Sequence, residues 1–228
     1  MIKPRPAFLL AGGNSSNPKS MAPSLARVLQ ECGVQKPRVA YLGVASGDNL
    51  IFFRLVKSLL KTAGAGEVFL LRLAKPRVDL SAARQAIEAA DAIFISGGEV
   101  DEGMRWLEQH GLTGFLKELY SQGKLFFGAS AGSIMMGTHW VRWGNPQDDA
   151  TAELFDCLGF APNIFDTHAE DEDWKELKMA LQLLGPGSHG YAIPTDGMVS
   201  LDSRGQVLAL EKSPICYVNK EGRVQKEG

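Results

Sequence analysis

Short apolar runs alternate along the chain with stretches whose apolar residues recur every three to four positions. Phe8-Leu9-Leu10-Ala11, Val39-Ala40-Tyr41-Leu42-Gly43-Val44, Glu67-Val68-Phe69-Leu70-Leu71, Ala92-Ile93-Phe94-Ile95 and Leu125-Phe126-Phe127 have strand length and little polar alternation. Such runs read as strands buried on both faces, the mark of a parallel sheet. Between them, Ser20 to Cys32, Phe52 to Ala63, the segment from a capping Ser81 to about Ala90, Asp101 to Gln109 and Gly114 to Ser121 read as helices. Ser133 to Thr138 continues as a helix after the fifth strand, and Trp174 to Leu184 forms another. Right-handed crossovers between parallel strands then predict an α/β fold, a three-layer, doubly wound and mostly parallel sheet.

From about residue 190 the pattern shortens. Tyr191-Ala192-Ile193, Met198 to Leu201, Val207 to Leu210 and Ile215 to Val218 read as strands, with turns at Asp202-Ser203-Arg204-Gly205 and Asn219-Lys220-Glu221-Gly222. These predict antiparallel C-terminal strands that extend the same sheet, within a single domain over residues 1–228. The residues from Gln225 onward are expected to fray.

Ligands of doubly wound sheets bind beyond the carboxyl ends of the strands. Gly12-Gly13-Asn14, Ser46-Gly47-Asp48, Gly97-Gly98-Glu99 and Ser130 all fall there. Gly128-Ala129-Ser130-Ala131-Gly132 has a Gly-x-Ser-x-Gly spacing between a strand and a helix, where a tight turn lifts a serine hydroxyl clear of the sheet. Ser130 is the expected nucleophile. The N–H of Ala131 at the helix start and that of Gly98, or less so Gly97, are the expected oxyanion donors. Gly12-Gly13-Asn14 lacks GxGxxG and a P-loop lysine, which argues against nucleotide binding.

A serine needs a base. His110 reads as a helix cap or surface residue, His139 as the far end of the helix after the elbow, and His189 as a loop residue. His168 follows the apolar run Asn163-Ile164-Phe165-Asp166-Thr167 at a strand end and is the expected base. The carboxylate that orients it stays open among Asp196, Asp148, Asp149, Asp166 and Glu170.

Composition narrows the setting. The net charge of −2 and scattered basic residues argue against nucleic acid as a partner. Three widely spaced cysteines give neither a CxxC metal site nor an even disulfide framework. The apolar runs are too short to span a bilayer, and the N-terminus lacks an apolar signal region, so a cytoplasmic protein without membrane contact is expected. Trp140, Trp143 and Trp174 are expected to pack in the core, to wall a pocket or to floor a subunit contact, so a homodimer stays open.

Ile95-Ser96-Gly97-Gly98, Gly128-Ala129-Ser130-Ala131-Gly132-Ser133, Gly159-Phe160-Ala161-Pro162 with Ile164-Phe165-Asp166-Thr167-His168, and Tyr191-Ala192-Ile193-Pro194-Thr195-Asp196 together resemble the serine peptidases of family S51, the dipeptidase E and cyanophycinase group. The resemblance covers most of the chain. It implies a fold like the class I glutamine amidotransferases and a Ser-His-acid hydrolase of peptide or amide bonds without metal or organic cofactor. It favours Asp196 as the acid, ahead of Asp149 and Asp148, and places Gly97, Glu99 and Asp166 around the substrate. It also implies action on aspartyl peptides, either as a dipeptidase or as a cleaver of an aspartate–arginine polymer. Two features depart from the family pattern: Glu99 is longer than the usual residue there, and Glu170-Asp171-Glu172-Asp173 replaces an arginine-bearing stretch. Those four acids would repel an acidic side chain if they face the pocket. Otherwise they form a solvated helix start, with Asp171 or Asp173 as cap. A small-molecule esterase or amidase, and a non-catalytic ligand-binding protein, are the alternative functions.

Overall fold

The computed structural model describes residues 5–12 and 18–227, so Gly13 and Asn14 of the first loop lie outside the described residues. The five apolar runs form the strands β1 (Ala7–Leu10), β2 (Arg38–Leu42), β3 (Glu67–Leu71), β4 (Ala92–Ile95) and β5 (Leu125–Ala129). The helices are α1 (Ala22–Gln30), α2 (Leu50–Thr62), α3 (Leu80–Ala89), α4 (Val100–Gln109), α5 (Thr113–Ser121), α6 (Ala131–Ile134) and α7 (Lys175–Leu184). The later strands are β6 (His139–Trp143), β7 (Ala152–Asp156), β8 (Ile164–Thr167), β9 (His189–Ile193), β10 (Met198–Leu201), β11 (Val207–Glu211), β12 (Ile215–Lys220) and β13 (Arg223–Lys226).

The main sheet has the order β11-β10-β1-β5-β4-β2-β3. Its five N-terminal strands are mutually parallel, while β10 and β11 are antiparallel additions at one edge. Alternate residues along each parallel strand enter opposite cores, as the two-residue strand period requires. Leu9, Ala40, Ile93 and Phe126 join the core built with α3, α4 and α5. Phe8, Tyr41, Phe94 and Phe127 join the one built with α1 and α2. This is the expected three-layer arrangement, and it explains why these strands carry apolar residues at consecutive positions.

Four local expectations are corrected. The α3 cap is Asp79, whose Oδ1 accepts from the Ala82 N–H at 3.0 Å; Ser81 is already helical. The helix after the elbow ends at Ile134, and His139 opens β6, which pairs antiparallel with β7. Gly137 and Thr138 turn the chain there, with the Thr138 N–H donating to the Asn163 carbonyl at 2.8 Å. Of the C-terminal strands, only β10 and β11 extend the main sheet; β9, β12 and β13 form a second sheet with β8, in the order β13-β12-β9-β8. Gln225 and Lys226 lie within β13, paired with β12, instead of fraying. Among the described residues, no helix is long and apolar enough to cross a membrane.

Candidate active site

The elbow follows from how closely β5, α6 and β4 approach. A Cβ added to Gly128 would lie 2.5 Å from the carbonyl of Gly132, and one added to Gly132 would lie 2.0 Å from the Ile95 carbonyl oxygen. Gly128 of Gly-x-Ser-x-Gly thus abuts the Gly132 backbone, and Gly132 in turn abuts the end of β4. Ser130 between them has φ 54° and ψ −126°, a left-handed backbone that non-glycine residues rarely adopt. The strained residue is held from both sides: its N–H donates to the Leu10 carbonyl at 3.0 Å, and its carbonyl accepts from the Ser133 N–H at 2.8 Å. The Ser133 hydroxyl fastens the same helix turn to β1, donating to the Leu10 carbonyl at 2.8 Å and accepting from the Leu10 N–H at 3.0 Å.

Gly97 and Gly98 sit beside the elbow at the end of β4. A Cβ on Gly97 would lie 3.2 Å from the Ser130 Cβ. Gly98 has φ 142°, and a Cβ there would lie 1.9 Å from the Ala45 carbonyl oxygen, so only glycine fits. Among the described residues neither the Gly98 nor the Ala131 N–H donates to an acceptor within the chain. Both residues line one cleft with Ser130.

β8 delivers His168 from the second sheet. Its N–H donates to the Ile193 carbonyl at 3.0 Å, and its backbone takes φ 45°. Nε2 of the imidazole lies 2.7 Å from Oγ of Ser130, a short hydrogen bond between a strained serine and a strained histidine. The other histidines are elsewhere. His110 is the C-cap of α4, as one of its two readings expected, and is buried there with Nε2 on the Leu73 carbonyl at 2.8 Å. His139 faces Asp156 across the β6–β7 pair, and His189 lies in β9, not in a loop.

The carboxylates considered for orienting His168 lie as follows. Among the described residues no carboxylate hydrogen-bonds to the His168 imidazole. Asp196, expected to orient it, accepts from the Ser20 hydroxyl at 3.1 Å and stands 3.8 Å from the Lys212 ammonium. Its backbone, with φ 61°, turns at the end of β9 and is tied through its N–H to the Gly12 carbonyl. Asp148 caps a short turn through the Ala150 N–H, and Asp149 pairs with Lys175 at 3.0 Å. Glu170 accepts from the Thr195 N–H at 2.6 Å and from the Thr195 hydroxyl at 3.2 Å. Burial works against its charge, but the Thr195 hydrogen bonds and the nearby His168 hold its carboxyl below the usual range. Neither Asp171 nor Asp173 caps α7: Asp173 pairs with Lys178 at 2.7 Å, and Trp174 occupies the cap position.

Two clefts meet at the Ser130–His168 pair. One, of about 710 Å³, is walled mainly by apolar side chains including Leu25, Phe52, Leu55 and Leu59. The other, of about 580 Å³, holds Glu99, Asp166, Glu172 and Glu176 beside Trp140 and Trp143. Glu172 had only the acidic run as a signal in the sequence, and Glu176, inside α7, had none. Asp166 is only 3% exposed. One of its oxygens accepts from the Thr167 N–H at 2.7 Å, and the other has no partner. Burial, with repulsion from Glu176 and Glu172, pushes its carboxyl up to about 7. Burial also raises Glu176, which Glu172 and Glu99 repel.

Asp166 therefore makes stability depend on pH. The folded chain keeps this proton to about pH 7, whereas an ordinary aspartate releases it near 3.8, so the folded state binds more protons between those values. Its contribution falls as pH rises through that window, by roughly 2–4 kcal/mol in total. In urea titrations at pH 5 and pH 8, Asp166→Asn is expected to remove that part of the difference; an unchanged difference would contradict the assignment.

A parallel α/β sheet with a strained serine elbow and a histidine from a second sheet defines the class of protein. The chain belongs to peptidase family S51, whose family model matches residues 7–206. It is 25% identical over 162 residues to the uncharacterized peptidase YgaJ of Bacillus subtilis strain 168, covering 71% of this chain and 66% of that protein. It is 32% identical over 85 residues to peptidase E of Shewanella denitrificans, covering 37% of this chain and 36% of that protein. The matched regions thus span just under two thirds of one curated relative and about a third of the other. Among solved structures, a peptidase from an acI-B1 actinobacterium superposes with a TM-score of 0.73 at 17% identity, over 99% of this chain and 94% of that one. A Listeria monocytogenes EGD-e protein assigned to peptidase E gives 0.67 at 17% identity, over 92% of this chain and all of that one. These two likenesses establish the shared fold.

Proposed function

We propose that the chain is a serine-type peptidase that cleaves amide bonds of small peptides through an acyl-enzyme on Ser130. The observation that carries this reading is the 2.7 Å contact between Ser130 Oγ and His168 Nε2 on a backbone strained at both residues. Ser130 Oγ attacks the scissile carbonyl carbon, and His168 Nε2 takes its proton. The Gly98 and Ala131 N–H groups, uncommitted within the described chain, hold the developing oxyanion. The C–N bond then breaks as His168 gives its proton to the departing amine. Water attacks the ester, passing a proton to His168, which returns it to Ser130 as the acid product leaves. We assign the charge that steadies the imidazolium to Glu170, which is coupled electrostatically to His168 without a direct hydrogen bond. The three free cysteines fit the reducing cytoplasm in which we place the protein.

Membership of a peptidase family favours amides over esters, although the elbow chemistry serves both. The test is a panel of dipeptides and aminoacyl nitroanilides set against short-chain esters. Release of free amine from the amide substrates is expected; hydrolysis confined to esters would establish the esterase reading instead.

A further inference from the structure

The cleft of about 580 Å³ beside Ser130 is lined by five carboxylates: Glu99, Asp101, Asp166, Glu172 and Glu176. Arg142 is its one guanidinium among the described residues, and that group is engaged by Glu153 at 2.7 Å. Of the α7 lysines, Lys178 pairs with Asp173, while Lys175 pairs with Asp149 and lies over the Trp143 ring at the rim, 5.6 Å from its centroid. Glu99, Asp101 and Glu172 are exposed at the rim, whereas Asp166 is buried and Glu176 half-buried, so burial and repulsion bear on the two inner carboxyls, which an entering opposite charge would relieve. The deepest member, Asp166, has a buried oxygen with no partner at all. Trp140 and Trp143 supply apolar walls suited to the methylenes and the charged head of a long cationic side chain.

We propose that this cleft is a specificity subsite for a cationic group of the peptide substrate, a lysine or arginine side chain or a free α-ammonium, held by Asp166, Glu172 and Glu176 with Glu99 at its edge. The raised carboxyl of Asp166 agrees with a site short of positive charge. An aspartyl side chain would add to the negative charge of this cleft and is repelled by it, so the cleft does not take the aspartyl group that the family resemblance implies. The apolar cleft on the other side of the pair takes the neighbouring residue of the peptide. The inference rests on Ser130 as the reactive centre only for the cleft's role in catalysis; the binding preference stands by itself.

Binding to the full-length Ser130→Ala variant tests it without turnover. The probes are dipeptides joining leucine to arginine, lysine, norleucine or aspartate, in both orders, each with free and acetylated amino ends. Arginine and lysine peptides are expected to bind about tenfold or more tightly than acetylated norleucine peptides, and aspartate peptides more weakly still. If acetylation preserves the arginine preference, the side chain is the cation; if free norleucine peptides equal the arginine ones and acetylation abolishes binding, it is the α-ammonium. Glu172→Gln, at an exposed position, and Asp166→Asn are each expected to lower the discrimination. Absence of binding by any cationic peptide at millimolar concentration overturns the proposal, as does acetylated norleucine or aspartate binding as tightly as arginine. Wild-type turnover is read separately: preferential binding without cleavage would sink the peptidase reading and keep the subsite, and cleavage that favours aspartyl peptides would do the reverse.

Discussion

Ser130→Ala is expected to lose about 10⁴- to 10⁶-fold in kcat, and His168→Ala to lose nearly as much. In the proposed mechanism the two side chains work as one unit: without the imidazole the hydroxyl keeps its proton, and without the hydroxyl the imidazole has nothing to activate. The double variant should therefore be little worse than either single one, far short of the product of their losses. Residual activity above the uncatalysed rate would come from the Gly98 and Ala131 donors and from substrate binding. Neither substitution removes a core contact. Ser130 sits at the junction of two clefts, and its hydroxyl hydrogen-bonds to His168. Both variants should fold normally, and circular dichroism with melting curves checks this. A Ser130→Ala enzyme that retains a tenth of the wild-type rate contradicts the assignment.

Gly132→Ala is expected to destabilise the fold by about 3–5 kcal/mol, large against the ~5–15 kcal/mol that holds a typical domain together. The added Cβ would lie 2.0 Å from the Ile95 oxygen, 2.6 Å from the Ile95 carbonyl carbon and 2.9 Å from the Ser96 oxygen. All three are backbone atoms of the central sheet or its end, so no side chain can swing away. Relief requires α6 to move off β4, which would also pull Ser130 away from Gly97 and Gly98. Gly114 in α5 is the control: an added Cβ there meets nothing within 4 Å, and alanine is expected to be neutral or stabilising by up to about 1 kcal/mol. Denaturant titration of the two variants gives the comparison. A Gly132→Ala chain within 1 kcal/mol of wild type would mean that the elbow is not set by this close approach.

The parallel sheet was legible because β1, β2, β4 and β5 are buried on both faces and the edge strand β3 is largely covered, so each carries an unbroken apolar run. The elbow was legible because α6 approaches β5 at Gly128 and β4 at Gly132 too closely for a side chain, which leaves two glycines four residues apart in the sequence. His168 could be chosen because it ends an apolar run, as a residue at a strand tip must. What was not legible depends on contacts between distant segments. The β6–β7 pair follows an apolar Ile134-Met135-Met136 that suits a helix equally well. The division of the C-terminal strands between two sheets is set by the parallel pairing of β8 with β9, which no local pattern records. The acid near His168 is decided by how the turns at Glu170 and Asp196 are folded. Asp196 is taken by Ser20 and Lys212, while Glu170 is taken by Thr195. The acidic run after His168 divides its members among different tasks: Glu170 binds Thr195, Asp171 lines the apolar cleft, Glu172 lines the acidic one, and Asp173 pairs with Lys178.

The most direct test of Ser130 as an activated nucleophile is the site of the covalent adduct formed with a fluorophosphonate probe, located by peptide mapping and mass spectrometry. The account predicts a single adduct, on Ser130, absent from Ser130→Ala and strongly slowed in His168→Ala. An adduct on another residue, or labelling that persists undiminished in Ser130→Ala, would contradict it.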